Sequence, residues 1–206
     1  MPDNIVIIDY GMGNLRSVKK KFDQMNVPTI VTSDQKEIEK ASKIILPGVG
    51  HFANGMQKIK DLNILEMLNY KVLEEKIPIL GICLGMQLFG KHSEEGNVSG
   101  LGWIDAEIVR FNVSDKLKFK IPHMGWNSVE IAKENQLFKN IPNETLFYFV
   151  HSYHMICNDL DTVIGITNYD YSFTSIINKD NIYGTQFHPE KSHKLGEQIL
   201  KNFSNL

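Results

Sequence analysis

Two segments far apart in the chain carry side chains that together suit nucleophilic acyl transfer. The first is Gly81-Ile82-Cys83-Leu84-Gly85, directly after the apolar Pro78-Ile79-Leu80. It puts a thiol at a strand-to-helix junction between glycines, where a nucleophile elbow needs small neighbours. The second is Phe187-His188-Pro189-Glu190, directly after Ile182-Tyr183-Gly184-Thr185-Gln186. It offers an imidazole with a carboxylate two residues on, and Pro189 supplies the turn that would let Glu190 reach back to the ring. Cys83, His188 and Glu190 then read as nucleophile, base and orienter of a thioester mechanism. Taken singly, a cysteine in a tight turn is often plain core, and a His-x-Glu turn is often surface. The pairing of the two segments is what points to catalysis.

A third glycine-rich turn, Pro47-Gly48-Val49-Gly50, also follows an apolar run, Ile44 to Leu46. Such a loop beyond a strand end lines the crevice of a doubly wound sheet. The Val49 and Leu84 N–H groups are the natural pair of oxyanion donors, with Gly48 and Gly50 on the substrate side of the turn. The same glycines would serve equally well simply to end a strand. The turn lacks the Gly-Lys-Ser/Thr of a phosphate loop, and Gly11-Met12-Gly13-Asn14 lacks the dinucleotide fingerprint, so no nucleotide cofactor is expected. His151 and His154 are spaced like a ligand pair, but no third ligand clusters near them in sequence, and no metal site is expected.

These residues need a scaffold that brings them together. Ile5 to Ile8, Pro28 to Val31, Lys43 to Leu46 and Pro78 to Ile82 read as strands, the more continuous of them as strands buried on both faces. Helical stretches alternate with them, and the helix after Cys83 reads through Leu84 to His92. The second half reads as short strands, among them Ile104 to Phe111 and Leu146 to Val150, with few helices between. A last helix spans about Leu195 to Phe203. The expected fold is α/β: a three-layer sandwich around a mostly parallel central sheet, with antiparallel strands added in the second half. No linker or repeat interrupts residues 1–206, and one domain is expected.

Composition narrows the function. The net charge of −2 leaves no basic excess to hold a phosphate backbone, which argues against nucleic acid. The longest apolar runs are strand-sized, far short of a membrane span. No basic-then-apolar leader opens the chain, and two cysteines do not make a disulfide scaffold, so a reduced, cytoplasmic protein is expected.

The same segments carry a resemblance. The chain resembles the class I glutamine amidotransferases over essentially its whole length, most closely the glutaminase subunits of imidazole glycerol phosphate synthases. Asp9 to Val18, Pro47 to Phe52, Gly81 to Gln87, Pro122-His123-Met124-Gly125-Trp126-Asn127, Phe149 to Tyr153 and Gln186 to Ser192 carry it. The resemblance implies that Cys83 attacks the side-chain amide of glutamine, that His188 protonates the leaving ammonia and then activates water, and that Gln87, Ser152 and Tyr153 hold the substrate. It also implies a (β/α)8-barrel cyclase partner that receives the ammonia, forming a heterodimer, with Asn14, Trp126, Tyr148 and Lys191 near the interface. Trp126, read from its neighbours alone, is a large ring in a Gly/Asn-rich loop, either a core anchor or an interface residue. Three alternatives stay open at this point: a paralogous subunit feeding a partner that modifies a surface or nucleotide-linked sugar, a cysteine peptidase or deglycase on a related fold, and a non-enzymatic regulatory subunit.

Overall fold

Runs of four or more apolar residues cannot expose either face, and the structure buries both. The computed structural model describes residues 4–206; Met1 to Asp3, part of the stretch on which the absence of a leader was judged, lie outside the described residues. The strands β1 (Ile5–Ile8), β2 (Thr29–Thr32), β3 (Lys43–Gly48) and β4 (Ile79–Cys83) come first. Between them run α1 (Leu15–Gln24), α2 (Gln35–Glu39), α3 (Phe52–Asp61) and α4 (Leu65–Asn69), which continues as a π-helical turn over Tyr70–Glu74. After α5 (Leu84–Gln87) follow β5 (His92–Ser93), β6 (Val98–Ser99), β7 (Ala106–Arg110), β8 (His123–Ile131), β9 (Thr145–His151), β10 (Tyr153–Cys157), β11 (Val163–Tyr169), β12 (Tyr171–Lys179) and β13 (Ile182–Thr185), and α6 (His193–Ser204) closes the chain.

The sheet is mixed. β2-β1-β3-β4-β13 are parallel neighbours in that order. From β13 the sheet turns antiparallel through β12, β10 and β7, and β11, β8 and β9 branch from β12. Alternate residues of each parallel strand feed two cores. Val6, Ile8, Ile44 and Leu46 pack under Phe52, Met56, Ile59 and Leu68 from the α3–α4 side. Ile5, Ile7, Ile45 and Leu80 pack under Val18, Phe22, Ile199 and Phe203 from α1 and α6. Helices therefore cover both faces, giving the three layers expected of an α/β sandwich.

Two local expectations fail. The helix after Cys83 is a single turn and does not run to His92. The carbonyls of Leu88 and Gly90 accept from the Leu101 and Gly102 amides instead of continuing a helix, and His92–Ser93 pairs with β7. The Gly/Asn-rich segment around Trp126 is not a loop but the middle of β8, paired residue by residue with β9 from His123↔His151 to Val129↔Thr145.

Candidate active site

The loops at the C-terminal ends of the parallel strands meet at one edge. β3 delivers Gly48 opposite Cys83 at the end of β4, and β13 delivers Thr185 opposite Ile82. Gln186, Phe187 and His188 continue from there over the same edge.

Cys83 has φ 54° and ψ −111°, a left-handed conformation that is strained for any residue with a side chain. The strain is held because β4 and the following turn lie tight on β3. A Cβ at Gly85 would fall 1.7 Å from the Leu46 carbonyl oxygen, so the second position after Cys83 admits only glycine. The sulfur lies 3.8 Å from the Val150 carbonyl and 3.7 Å from Gln186 Nε2, which donates to it.

His188 and Glu190 are both buried, 1% and 5% exposed. Pro189 opens a 3-10 turn over Pro189–Lys191 that folds Glu190 back, and His188 Nδ1–H donates to Glu190 Oε1 at 2.9 Å. The backbone is pinned as well: His188 N donates to the Tyr148 carbonyl at 2.9 Å, and Ser192 Oγ donates to the His188 carbonyl at 2.6 Å. With Nδ1 committed to the carboxylate, Nε2 is the free ring nitrogen, buried and without a hydrogen bond of ordinary geometry. Burial works against a charged ring here, but the adjacent Cys83 sulfur and the Glu190 carboxylate outweigh it and push His188 up to about 10. The imidazole thus holds a proton at neutral pH beside the sulfur.

A cavity of about 250 Å³ opens on Cys83. Val49, Gly50, Leu84, Gln87, Ser152 and Tyr153 all line it, so the structure gathers most of the residues expected around a substrate. Gly48 lies behind this lining, and Val49 is 38% exposed at the rim. Gln87 Nε2 donates to the Tyr153 carbonyl and to Gln186 Oε1, both at 2.9 Å. Glu95, Pro122, Val150 and His151 line the cavity too; the last three stand in segments that carry the resemblance but are not singled out there as substrate contacts, and Glu95 stands in none of them. Glu95 lies in the turn between β5 and β6, where nothing in its neighbours marks it; its carboxylate accepts from the Phe52 amide at the start of α3, at 2.7 Å. A larger cavity of about 710 Å³ around Ile131 to Ile141 and Asn143 is lined by lysines, a glutamate and amides, with no cysteine, serine or histidine in the lining.

His123, unexpected here, packs against His151. The Tyr153 carbonyl takes His151 Nδ1–H at 2.7 Å, and His123 Nδ1 lies 3.0 Å from His151 Nε2. Asn127 Nδ2 reaches His123 Nε2 at 3.3 Å. Burial lowers the pKa of both rings, that of His123 to about 4, so both are neutral. The tautomers then follow: Asn127 donates to His123, His123 to His151, and His151 to Tyr153. Despite this cluster, no group of three His, Cys, Asp or Glu suited to a metal occurs among the described residues.

Trp126, Tyr148 and Lys191 come together on the surface beside the base. Trp126 is 44% exposed, stacks on His193 at 4.7 Å between ring centres, and meets the Tyr148 ring edge-on. The Lys191 ammonium stands 5.4 Å over the Tyr148 ring. Asn14 caps α1, which packs against the Pro189–Lys191 turn. Met124 and Leu146 are exposed on the same strand pair. No described helix is long and apolar enough to cross a membrane.

The class-I glutamine amidotransferase family profile matches residues 6–205. The chain is 52% identical over 199 residues to imidazole glycerol phosphate synthase subunit HisH 2 of Methanococcus maripaludis, covering 97% of this chain and 98% of that one. It is 47% identical over 207 residues to subunit HisH 1 of the same organism, covering 98% and 99%. The structure of PurLQS from Thermotoga maritima superposes with a TM-score of 0.71 at 17% identity, covering 100% of this chain and 99% of that one, a likeness of fold.

Proposed function

Because the chain belongs to the class-I glutamine amidotransferases, in the branch of the HisH subunits of imidazole glycerol phosphate synthases, we propose that it hydrolyses glutamine at Cys83 and passes the ammonia to a (β/α)8-barrel cyclase bound over Trp126, Tyr148 and Lys191. The observation that carries the reading is the buried His188–Glu190 pair facing the sulfur of a strained strand-end cysteine.

In this reading Cys83 attacks the carboxamide carbon of glutamine. Charge builds on the carboxamide oxygen, and the Val49 and Leu84 amides receive it. The proton on His188 goes to the departing nitrogen, which leaves as ammonia. The ring, now neutral, takes a proton from water, and the hydroxide opens the thioester to glutamate. Glu190 keeps Nδ1 protonated and aims Nε2. Gln87 and the Ser152–Tyr153 backbone hold the substrate, and Glu95 is the acid in the cavity lining suited to its α-ammonium group.

Released ammonia is lost to water unless an acceptor is ready. The Gly48-Val49-Gly50 turn, with Gly50 at φ 109°, is the simplest place for a gate, since turning one peptide removes or restores an oxyanion donor. Losing one such donor lowers the rate by about 100-fold or more. The isolated chain is therefore expected to be slow, and strongly activated by the cyclase with its nucleotide ligand bound. Glutamate release with and without cyclase and ligand tests this; equal, high turnover in every condition would remove the gate, and no glutamate in any condition would remove the function.

One observation favours keeping a second acceptor in view. Methanococcus maripaludis holds two such subunits, 52% and 47% identical to this chain, so relatives this similar occur twice in one organism. Activation by a partner that modifies a surface or nucleotide-linked sugar, with none by the histidine-pathway cyclase, would keep the chemistry and change the pathway.

A further inference from the structure

Tyr10 follows β1 and turns its ring into the core on the α3 side, in the cluster that holds Leu46, Phe52 and Leu84. The residue is 1% exposed, and its hydroxyl finds no hydrogen-bond partner among the described residues. A buried hydroxyl left unpaired is destabilising, and phenylalanine would fill the same space without that penalty. A group kept at the expense of stability next to a reactive centre calls for a functional reason.

The hydroxyl stands at a particular place. A Cβ built on Gly48 would lie 2.4 Å from it, 2.8 Å from the Gly85 amide nitrogen and 2.8 Å from Leu84 Cβ. The oxygen therefore borders the gap between the two segments that carry the oxyanion donors, Gly48–Val49 beyond β3 and Leu84–Gly85 beyond Cys83. It also explains why position 48 is glycine: any side chain there would run into the phenol. Burial first, and the nearby Cys83 sulfur second, push the phenol pKa far up, so the group is a permanent donor.

A planar peptide that shows its N–H to one side shows its carbonyl to the other. When the Val49 N–H turns to the oxyanion, the Gly48 carbonyl turns back toward the protein and needs a donor there. The unpaired donor beside Gly48 is Tyr10. We propose that Tyr10 is a positioning residue whose hydroxyl donates to the Gly48 carbonyl in the reacting state and so holds the Val49 N–H on the oxyanion. Its acceptor arrives only during the reaction, which is why the hydroxyl is unpaired at rest. This rests on the reading of Cys83 as a thioester nucleophile with Val49 as an oxyanion donor.

The test is Tyr10→Phe, one oxygen removed, in the full chain with its cyclase partner and ligand. Expected is a fall in kcat for glutamine hydrolysis of ~10- to 100-fold, the scale of a weakened oxyanion donor. KM should change by less than ~3-fold, because the bond is made in the reacting state and not on binding. The melting temperature should stay level or rise, because an unpaired buried hydroxyl has gone. Glutamate γ-semialdehyde, which adds to Cys83 and presents an oxyanion, should bind the variant more weakly by a similar factor. Unchanged kcat and unchanged aldehyde binding would overturn the proposal while leaving the glutaminase standing. Loss of fold, or a parallel loss of stability, KM and kcat, would assign the hydroxyl to the fold and overturn it as well. If the unaltered chain releases no glutamate with its partner, the parent reading falls, and this one with it.

Discussion

His188, at the end of the parallel strands, and the His123–His151 pair, in the antiparallel extension, are all buried, yet the first is protonated and the pair is neutral. Burial alone removes the proton, and it does so at His123, where the other groups in contact are a second neutral ring, an amide and aromatic faces. At His188 the same desolvation meets a carboxylate on one nitrogen and a cysteine sulfur facing the other, and the balance reverses. One region keeps an acid ready to protonate a leaving group. The other fixes tautomers, and so fixes the direction of every hydrogen bond from Asn127 to the Tyr153 carbonyl that Gln87 also uses. The strands β8 and β9, which carry the exposed Trp126 patch, thus reach the cavity through neutral groups, whereas the ring beside the sulfur is charged.

Removing the sulfur should show the largest effect. Cys83→Ala is expected to lower glutamine turnover by at least about 10⁴-fold, since Cys83 is the one thiol in the cavity lining and the Ser152 hydroxyl there is a far weaker nucleophile at neutral pH. It also takes away the chief attraction for the His188 proton, so the ring should titrate well below about 10. Glutamate assays and NMR titration of the imidazole resonances check both halves. A His188 that titrates unchanged in the variant would mean that the sulfur does not set its charge.

Glu190→Gln comes next. The amide can still touch Nδ1 but no longer balances a charged ring, and loss of the orienting carboxylate typically lowers turnover by about 10²- to 10⁴-fold. The rate should fall while the His123–His151 pair stays neutral, because burial is what holds that pair neutral. A loss as complete as that of Cys83→Ala would give Glu190 a bond-making part.

How much of this contrast the sequence revealed depends on whether the residues are local. Cys83 and His188 announce themselves because each sits in a short motif at the end of an apolar strand, and buried parallel strands write continuous runs. β8 does not. Its inward positions are His123, Gly125, Asn127 and Val129, so the alternation exists but the polar and glycine members hide it, and the segment reads as a loop. The His123–His151 pairing does not show in the sequence, because the two rings stand on different strands and only the register of β8 with β9 brings them together. The helix after Cys83 was read too long for a similar reason: the groups that end it, the Leu101 and Gly102 amides, return from a later loop. Glu95 belongs with these, an acid whose role depends on where a loop lands.

The exposed patch on β8 and β9 gives a smaller effect. Trp126→Ala removes a half-exposed ring that stacks on His193 and leaves the buried face of β8 untouched. A central aromatic anchor contributes about 2 kcal/mol or more to an interface, so the complex with the cyclase should weaken by about 30-fold, read by calorimetry. The unfolding midpoint in denaturant should move little. A large loss of stability with normal binding would make the ring a core anchor.

The smallest effect expected is in the pH dependence of stability, where the two histidine sets act with opposite sign. His188 has its folded pKa raised from 6.5 to about 10, so its contribution is fully present below about pH 6.5 and is lost as pH rises toward 10. His123 has its folded pKa lowered from 6.5 to about 4, so the unfolded chain takes up more protons and stability is lost as pH falls from 6.5 toward 4. His151 and His154 shift in the same direction as His123. Between pH 6.5 and 5.5 the His123 site alone should cost about 1 kcal/mol. Urea midpoints measured over that interval should fall for the unaltered chain. His123→Gln, which cannot titrate, should flatten that slope by about this amount, whatever it does to stability at neutral pH. An equal slope in the variant would mean that His123 keeps its proton when buried, and the opposition between the two regions would then rest on His151 and His154 alone.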